Sequence, residues 1–168
     1  MKVFSKALFA CYLLVLLWLI LFKLSFDLSP VLAYRTRSVN WIPFALSSFT
    51  ISREVLYNCV AFIPFGLLLS VNFKRTGFWR KLAAVFAFSL AAEAAQFVFA
   101  IGITDVTDLI TNTLGGLLGL TLYKVSNRFM SGEKLDRLIV LAGMILLGLS
   151  VFLRVLFFDV TYYSAPPL

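Results

Sequence analysis

Histidine is absent from this 168-residue chain. Its absence removes the commonest general base and the commonest metal ligand from any site the chain can build. Charge is also scarce: Asp, Glu, Lys and Arg make up 14% of the residues, against about 25% in an ordinary soluble domain. Cysteine is limited to Cys11 and Cys59, both inside apolar runs. The topology derived below sets the two near opposite membrane faces. A disulfide needs Cα atoms within roughly 7 Å, so neither a bridge nor a two-thiol metal site is expected. There is no internal repeat, no low-complexity stretch and no linker long enough to join a second domain.

Apolar sequence is what the chain has in abundance, at 61%. Five stretches approach the roughly 20 residues needed to cross a bilayer: residues 7–24, 55–73, 82–101, 105–123 and 138–158. The predicted fold is therefore all-α, a polytopic membrane helical bundle with about five transmembrane helices forming a single domain over residues 1–168. The first stretch follows Lys2 and Lys6 as a signal peptide would. It is long for one, and no small-x-small cleavage site follows it, so it is read as a retained helix. Pro64 and Gly66 predict a kink in the second. Between the first two helices, a segment with Tyr34, Trp41, Phe44 and Phe49 is too polar to span and too aromatic to be simply solvated. It is expected to be an interfacial loop.

Lys and Arg outnumber Asp and Glu by 15 to 8. The excess lies at the ends of the apolar stretches, where it reads as a topology signal rather than a nucleic-acid footprint. With the N-terminus inside, ten basic residues fall on the inner side. Four, namely Lys23, Arg35, Arg37 and Arg53, fall outside. The expected localisation is the cell membrane, multi-pass, with the N-terminus cytoplasmic and the C-terminus outside.

The polar residues within the spans are few and patterned. Asp105, Asp108, Asn112, Gly115 and Gly119 recur at steps of three and four, so they share one helix face. Ser89, Glu93, Gln96 and Ala100 do the same on the preceding helix. A rise of 1.5 Å per residue puts Glu93 roughly 12 Å in from Ile101 and Asn112 roughly 10 Å in from Asp105. Asn58 lies a turn below Arg53 at the same end. The polar groups are thus predicted to occupy the outer half of the bilayer and to form a pocket open to the outer leaflet. An ionisable group in a membrane helix is a functional-site hypothesis by default. Glu93 can alternatively make an interhelical hydrogen bond, and Asp105 with Asp108 can serve as an N-cap and first-turn acid. Gly115-x-x-x-Gly119 predicts close helix approach, most simply against the third helix. Arg154 is expected to snorkel.

Arg35, Arg37 and Arg53 share the outer face with the carboxylates. They can neutralise Glu93, Asp105 and Asp108, or bind a phosphate or pyrophosphate headgroup. Asp105 and Asp108 are the candidate ligands for a divalent cation that bridges to phosphate. A channel is disfavoured, because the polar groups stop halfway across.

Four motifs in order resemble the VanZ family of small bacterial membrane proteins. Asn40-Trp-Ile-Pro-Phe44 is similar to that family's Asn-x-Ile-Pro-Phe element, and Asn58-Cys-Val-Ala-Phe-Ile-Pro-Phe-Gly66 to its Asn-x(3)-Phe-x-Pro-x-Gly helix. Glu93-Ala-Ala-Gln96 resembles its Glu-x-x-Gln pair. Residues 105–119 resemble its Asp-x-x-Asp-x-x-x-Asn-Thr-x-Gly-Gly run. Many members carry an arginine just before that run; here Gly102-Ile-Thr104 precedes it, which shifts weight onto Arg35, Arg37 and Arg53. The resemblance implies reduced susceptibility to glycopeptide antibiotics, notably teicoplanin, and supplies no reaction. The expected partner is a membrane lipid or lipid-linked envelope precursor at the outer leaflet. Arg35, Arg37, Asn40, Asn58, Gln96 and Asn112 are the candidate binding residues. An alternative is an intramembrane enzyme using Glu93, Asp105 and Asp108.

Overall fold

The structure is a computed structural model that describes residues 2–22, 36–44 and 48–163. Among these residues, five helices and two short strands run in the order α1 (Lys2–Phe22), β1 (Thr36–Asn40), α2 (Ser48–Asn72), α3 (Phe78–Phe99), β2 (Ile101–Asp105), α4 (Val106–Phe129) and α5 (Gly132–Tyr163). Each predicted helix is found, and each is longer than predicted. Hydropathy marks only the apolar part of a helix. The polar starts of α2, around Arg53, and of α5, around Glu133, are helical without being apolar. Three of the helices, over Lys2–Leu21, Val55–Asn72 and Phe78–Phe99, are long and apolar enough to cross a membrane.

Polarity runs inside out relative to a soluble bundle. Ser89, Glu93, Gln96, Thr111 and Asn112 are buried, whereas Leu14, Val60, Phe86, Leu90 and Leu118 face outward. Such a bundle is at ease only where its surroundings are apolar. The apolar core joins Leu16 and Ile20 of α1 to Phe62, Phe65 and Leu69 of α2, Val85 and Ala92 of α3, and Leu120 of α4. Phe65 anchors it, stacked on Phe9 at 6.0 Å between ring centroids and tilted against Phe88 at 5.0 Å.

α4 lies at the centre of the bundle, with α2 as its tightest neighbour. A Cβ at Gly115 would overlap the carbonyl oxygen of Cys59, and one at Gly119 the carbonyl oxygen of Ile63. This corrects the expectation that the pair packs on the third helix. The partner is α2, because α2 carries its own glycine there: Gly66 faces Gly119 and the carbonyl of Gly116. Gly116, a hundred degrees further round α4, is the glycine that meets α3, at Val85. Pro64 sits inside α2 without ending it, and Gly66, expected as part of a kink, is a contact residue.

The segments around Gly102 are not a bare loop. β1 and β2 form a two-stranded parallel sheet, with Thr36 opposite Ile101 and Asn40 opposite Asp105. The all-α expectation describes the helices and misses this sheet. Parallel partners distant in the chain leave no local hairpin signature. Ala100 makes the sheet possible: it ends α3 in the left-handed region (φ 54°), with its N–H directed to the Gln96 and Phe97 carbonyls, and the chain turns straight into β2. At the other end of the bundle, an ion pair between Lys74 and Asp136 and a 2.8 Å hydrogen bond from Tyr123 Oη to Asp136 Oδ1 tie α5 to the α2–α3 turn and to α4. Arg35, the side chains of Phe49 and Arg154, and the chain after Tyr163 lie outside the described residues, and with them the roles expected there.

Candidate functional site

Asp105 is the point from which the site is built. It ends β2 and caps α4, its Oδ1 accepting from Thr107 N at 2.7 Å. Asp is a preferred N-cap because its carboxylate satisfies a backbone N–H that the helix leaves orphaned. The sheet register sets Asn40 directly opposite, and Asn40 Nδ2 donates to Asp105 Oδ2 at 3.0 Å. The other side of the Asn40 amide accepts from Ile42 N at 3.2 Å and turns the chain back. Phe44 N then donates to Thr107 Oγ1 at 3.0 Å. Phe44 adopts φ 59°, and with Ala100 it is the described non-glycine pair at positive φ. Both residues flank this site, where backbone strain is commonly held in place by the surroundings.

Glu93 meets the same junction from α3. Its Oε2 accepts from Asp105 N at 3.1 Å, and its carbonyl oxygen accepts from Thr104 Oγ1 at 3.2 Å. One turn into α4, Asp108 Oδ1 accepts a 2.6 Å hydrogen bond from Asn58 Nδ2 of α2. A turn deeper, Asn112 Nδ2 donates to Ser89 Oγ of α3 at 2.9 Å. Gln96 reaches the other way, its Nε2 donating to the carbonyl of Ile20 on α1 at 2.9 Å. Asp105, Asp108 and Asn112 thus descend α4, tied in turn to the strand pair, to α2 and to α3.

Five predicted residues therefore converge with Asn40: Glu93, Asp105, Asp108, Asn58 and Asn112; Gln96 stands one turn from Glu93 on α3, with its amide nitrogen bonded to α1. They do not form an open pocket. Glu93, Gln96 and Asn112 are at most 2% exposed and Asp108 8%, while Asn40, Asn58 and Asp105 are half-buried. The arrangement is a half-open rim over a buried floor. On that floor the amide oxygens of Gln96 and Asn112 have no hydrogen-bond partner among the described residues. Buried acceptors of this kind are rare and costly in a folded protein. Their placement beside two carboxylates makes the floor acceptor-rich. It suits hydroxyl, amide or ammonium donors rather than a bare phosphate.

The described arginines predicted for the site, Arg37 and Arg53, stay at its edge. Arg37 is exposed; its guanidinium lies 3.4 Å from the carbonyl of Val98, beside a cavity of about 500 Å³ lined also by Phe99 and Ala100. Arg53 is exposed and donates to Tyr57 Oη at 3.2 Å, with its guanidinium over the Tyr57 ring. Among the described residues no three Asp, Glu or Cys side chains come together as a metal cage. A divalent cation held by Asp105 and Asp108 would need further oxygens from a ligand. Thr107 and Thr104 are the site residues that sequence reasoning passed over. The signal for Thr107 was the Asp-x-Thr of the capped helix start at Asp105; Thr104, which precedes the cap, carried none.

A sequence model of the VanZ/LLP1 family matches residues 9–127. The chain is similar to the protein VanZ of Enterococcus faecium, at 51% identity over 154 residues, covering 91% of this chain and 94% of that one. No solved structure matches the chain. The family match spans both strands, α2, α3 and the whole polar face of α4.

Proposed function

The chain belongs to the VanZ/LLP1 family, and from that premise we propose that it is a polytopic membrane protein of about five spans that binds a cell-envelope lipid, or a lipid-linked precursor, at the outer leaflet. By holding that ligand it lowers susceptibility to glycopeptides such as teicoplanin. The supporting observation is the set of buried acceptors: the amide oxygens of Gln96 and Asn112 have no partner among the described residues, and stand one turn along their helices from the buried carboxylates Glu93 and Asp108. A headgroup with hydroxyl or amide donors would supply what these oxygens lack, and its phosphate would meet Arg37 at the rim. In this reading Asp105 shapes the site and does no chemistry, since both its carboxylate oxygens already hold the cap and Asn40. The N-terminus is inside, as the distribution of Lys and Arg favours.

A second reading makes the chain an intramembrane enzyme acting on a lipid-linked substrate. The burial of two carboxylates, Glu93 and Asp108, in one polar cluster favours it. Isosteric changes separate the two. With expression matched, Glu93→Gln, Asp105→Asn and Asp108→Asn are assayed for teicoplanin susceptibility. A binding protein keeps its effect with Glu93→Gln, whose amide oxygen can still accept from Asp105 N. It loses the effect with Gln96→Leu, which removes a floor acceptor. An unchanged susceptibility in Gln96→Leu and Asn112→Leu would sink the binding reading. A new lipid species in cells expressing the protein, lost in Glu93→Gln, would establish the enzyme instead.

A further inference from the structure

The end of the bundle opposite the polar site holds a second feature. A cavity of about 730 Å³ opens between the start of α1, the end of α2 with the turn that follows, and the start of α5. That volume falls within the range of small-molecule sites. Its apolar base is Val71 and Val140, both buried. Five cations line it: Lys2, Lys6, Lys74, Arg75 and Arg137. Two carboxylates, Glu133 and Asp136, stand against them, leaving an excess of three positive charges.

The cavity is a built feature. Asn72 Nδ2 donates to the carbonyl of Ser5 at 3.3 Å and fastens α1 to α2 at its wall. Lys74 is committed to Asp136. That leaves Lys2, Lys6, Arg75 and Arg137 facing Glu133 as the other carboxylate. Ser5 to Ile20 spans roughly 22 Å of helix, and Ile20 is the residue that Gln96 grips. The two features therefore lie most of a hydrocarbon thickness apart, one near each membrane face.

We propose that this cavity is a second binding site, for a phosphate-bearing anion at the membrane face opposite the polar site. The ligand chemistry is a phosphate mono- or diester, carried by a lipid headgroup or free in solution. Arginine and lysine gathered around a concave wall, rather than spread along a loop, concentrate positive potential where a phosphate can sit. Phe73, exposed near the mouth, and the Val71–Val140 base offer an apolar margin that an acyl-bearing ligand would use.

The test uses the full chain in nanodiscs. In discs of mixed phosphatidylglycerol and phosphatidylcholine, native mass spectrometry reads which lipid stays bound. In discs of phosphatidylcholine alone, calorimetry reads the binding of inorganic pyrophosphate. The wild-type protein is expected to retain phosphatidylglycerol, to bind pyrophosphate, or both; lipid alone or pyrophosphate alone tells which source carries the phosphate. The variant Lys6→Gln/Arg75→Gln/Arg137→Gln is expected to weaken the retained interaction about fivefold per cation, on the order of a hundredfold together. The matched variant Arg80→Gln/Arg128→Gln/Lys134→Gln removes three exposed cations near the same face that do not line the cavity. It is expected to change binding by less than about fivefold. Equal losses in both triple variants would reduce the effect to surface charge and overturn the site. Absence of both phosphatidylglycerol and pyrophosphate binding in the wild-type protein would overturn it as well.

Discussion

Gly119→Ala probes the α2–α4 seam at its tightest point. The added Cβ would run into the carbonyl oxygen of Ile63 and come within 3.1 Å of the Gly66 Cα. Both obstacles are backbone, so no rotamer change relieves them and the two helices must separate. Overpacking of this kind costs about 1–3 kcal/mol. Alanine's better helix propensity returns up to about 1 kcal/mol, but rigid backbone gives the clash the upper hand. Gly148 of α5 supplies the control, since a Cβ there meets nothing within 4 Å, and Gly148→Ala is expected to be neutral or slightly stabilising. Thermal unfolding of the purified protein in one detergent, followed by tryptophan fluorescence, reads the difference. For a chain of this size 1 kcal/mol moves Tm by roughly 2–4 °C; a clash at the upper end of the overpacking range, less the propensity gain, leaves about 1–2 kcal/mol, so Gly119→Ala is expected to melt roughly 2–8 °C lower. Equal melting of the two variants would refute the seam.

Other expectations follow from single contacts. Gln96→Leu loses one hydrogen bond to Ile20 but also removes a buried oxygen that has no partner among the described residues, so stability is expected to stay within about 1 kcal/mol while the proposed teicoplanin effect disappears. A stability loss above about 3 kcal/mol would mean that the residue serves the fold and not a ligand. Asn58→Ala takes a 2.6 Å donor from the Asp108 carboxylate and is expected to cost about 1.5–3 kcal/mol. Adding Asp108→Ala should then cost less than the two changes summed, in the same thermal assay; strict additivity would show that the pair does not interact. For orientation, Thr76→Cys in a variant lacking Cys11 and Cys59 should resist an impermeant thiol reagent in intact cells. Labelling there would invert the proposed topology.

Sequence periodicity reached the helices and the polar face because both depend on local spacing. Glu93 with Gln96, and Asp105 with Asp108 and Asn112, are set by steps of three and four along single helices. What stayed hidden were relations between distant segments. Asn40 and Asp105 lie opposite each other through a parallel strand pair, and nothing in either five-residue segment names its partner. The partner of Gly115 and Gly119 was hidden for the same reason. Both α2 and α3 carry small residues, and choosing α2 required knowing that Gly66 falls level with Gly119. Burial was misjudged too. Polar residues in the outer half of a span implied an open pocket, yet the neighbouring helices supply the site's own partners, such as Ser89 and Ile20, and close over it.

The face of α4 separates, on sequence grounds, into a polar half for function and a glycine half for packing. Its contacts show why the halves cannot act independently. Asp108 holds Asn58, while Gly115 rests on the carbonyl of Cys59, the very next residue of α2. The distance between α2 and α4 that the glycines permit is therefore the distance across which the Asn58–Asp108 hydrogen bond is made. That bond is 2.6 Å long, and a separation greater by about 1 Å would carry it past the length at which a hydrogen bond holds. A methyl group at Gly115 would thus disturb the site without touching one of its polar atoms. Loss of function in a Gly115 variant consequently reads as a change in the spacing of the site, and only the variants at Glu93, Gln96, Asp108 and Asn112 report on its chemistry.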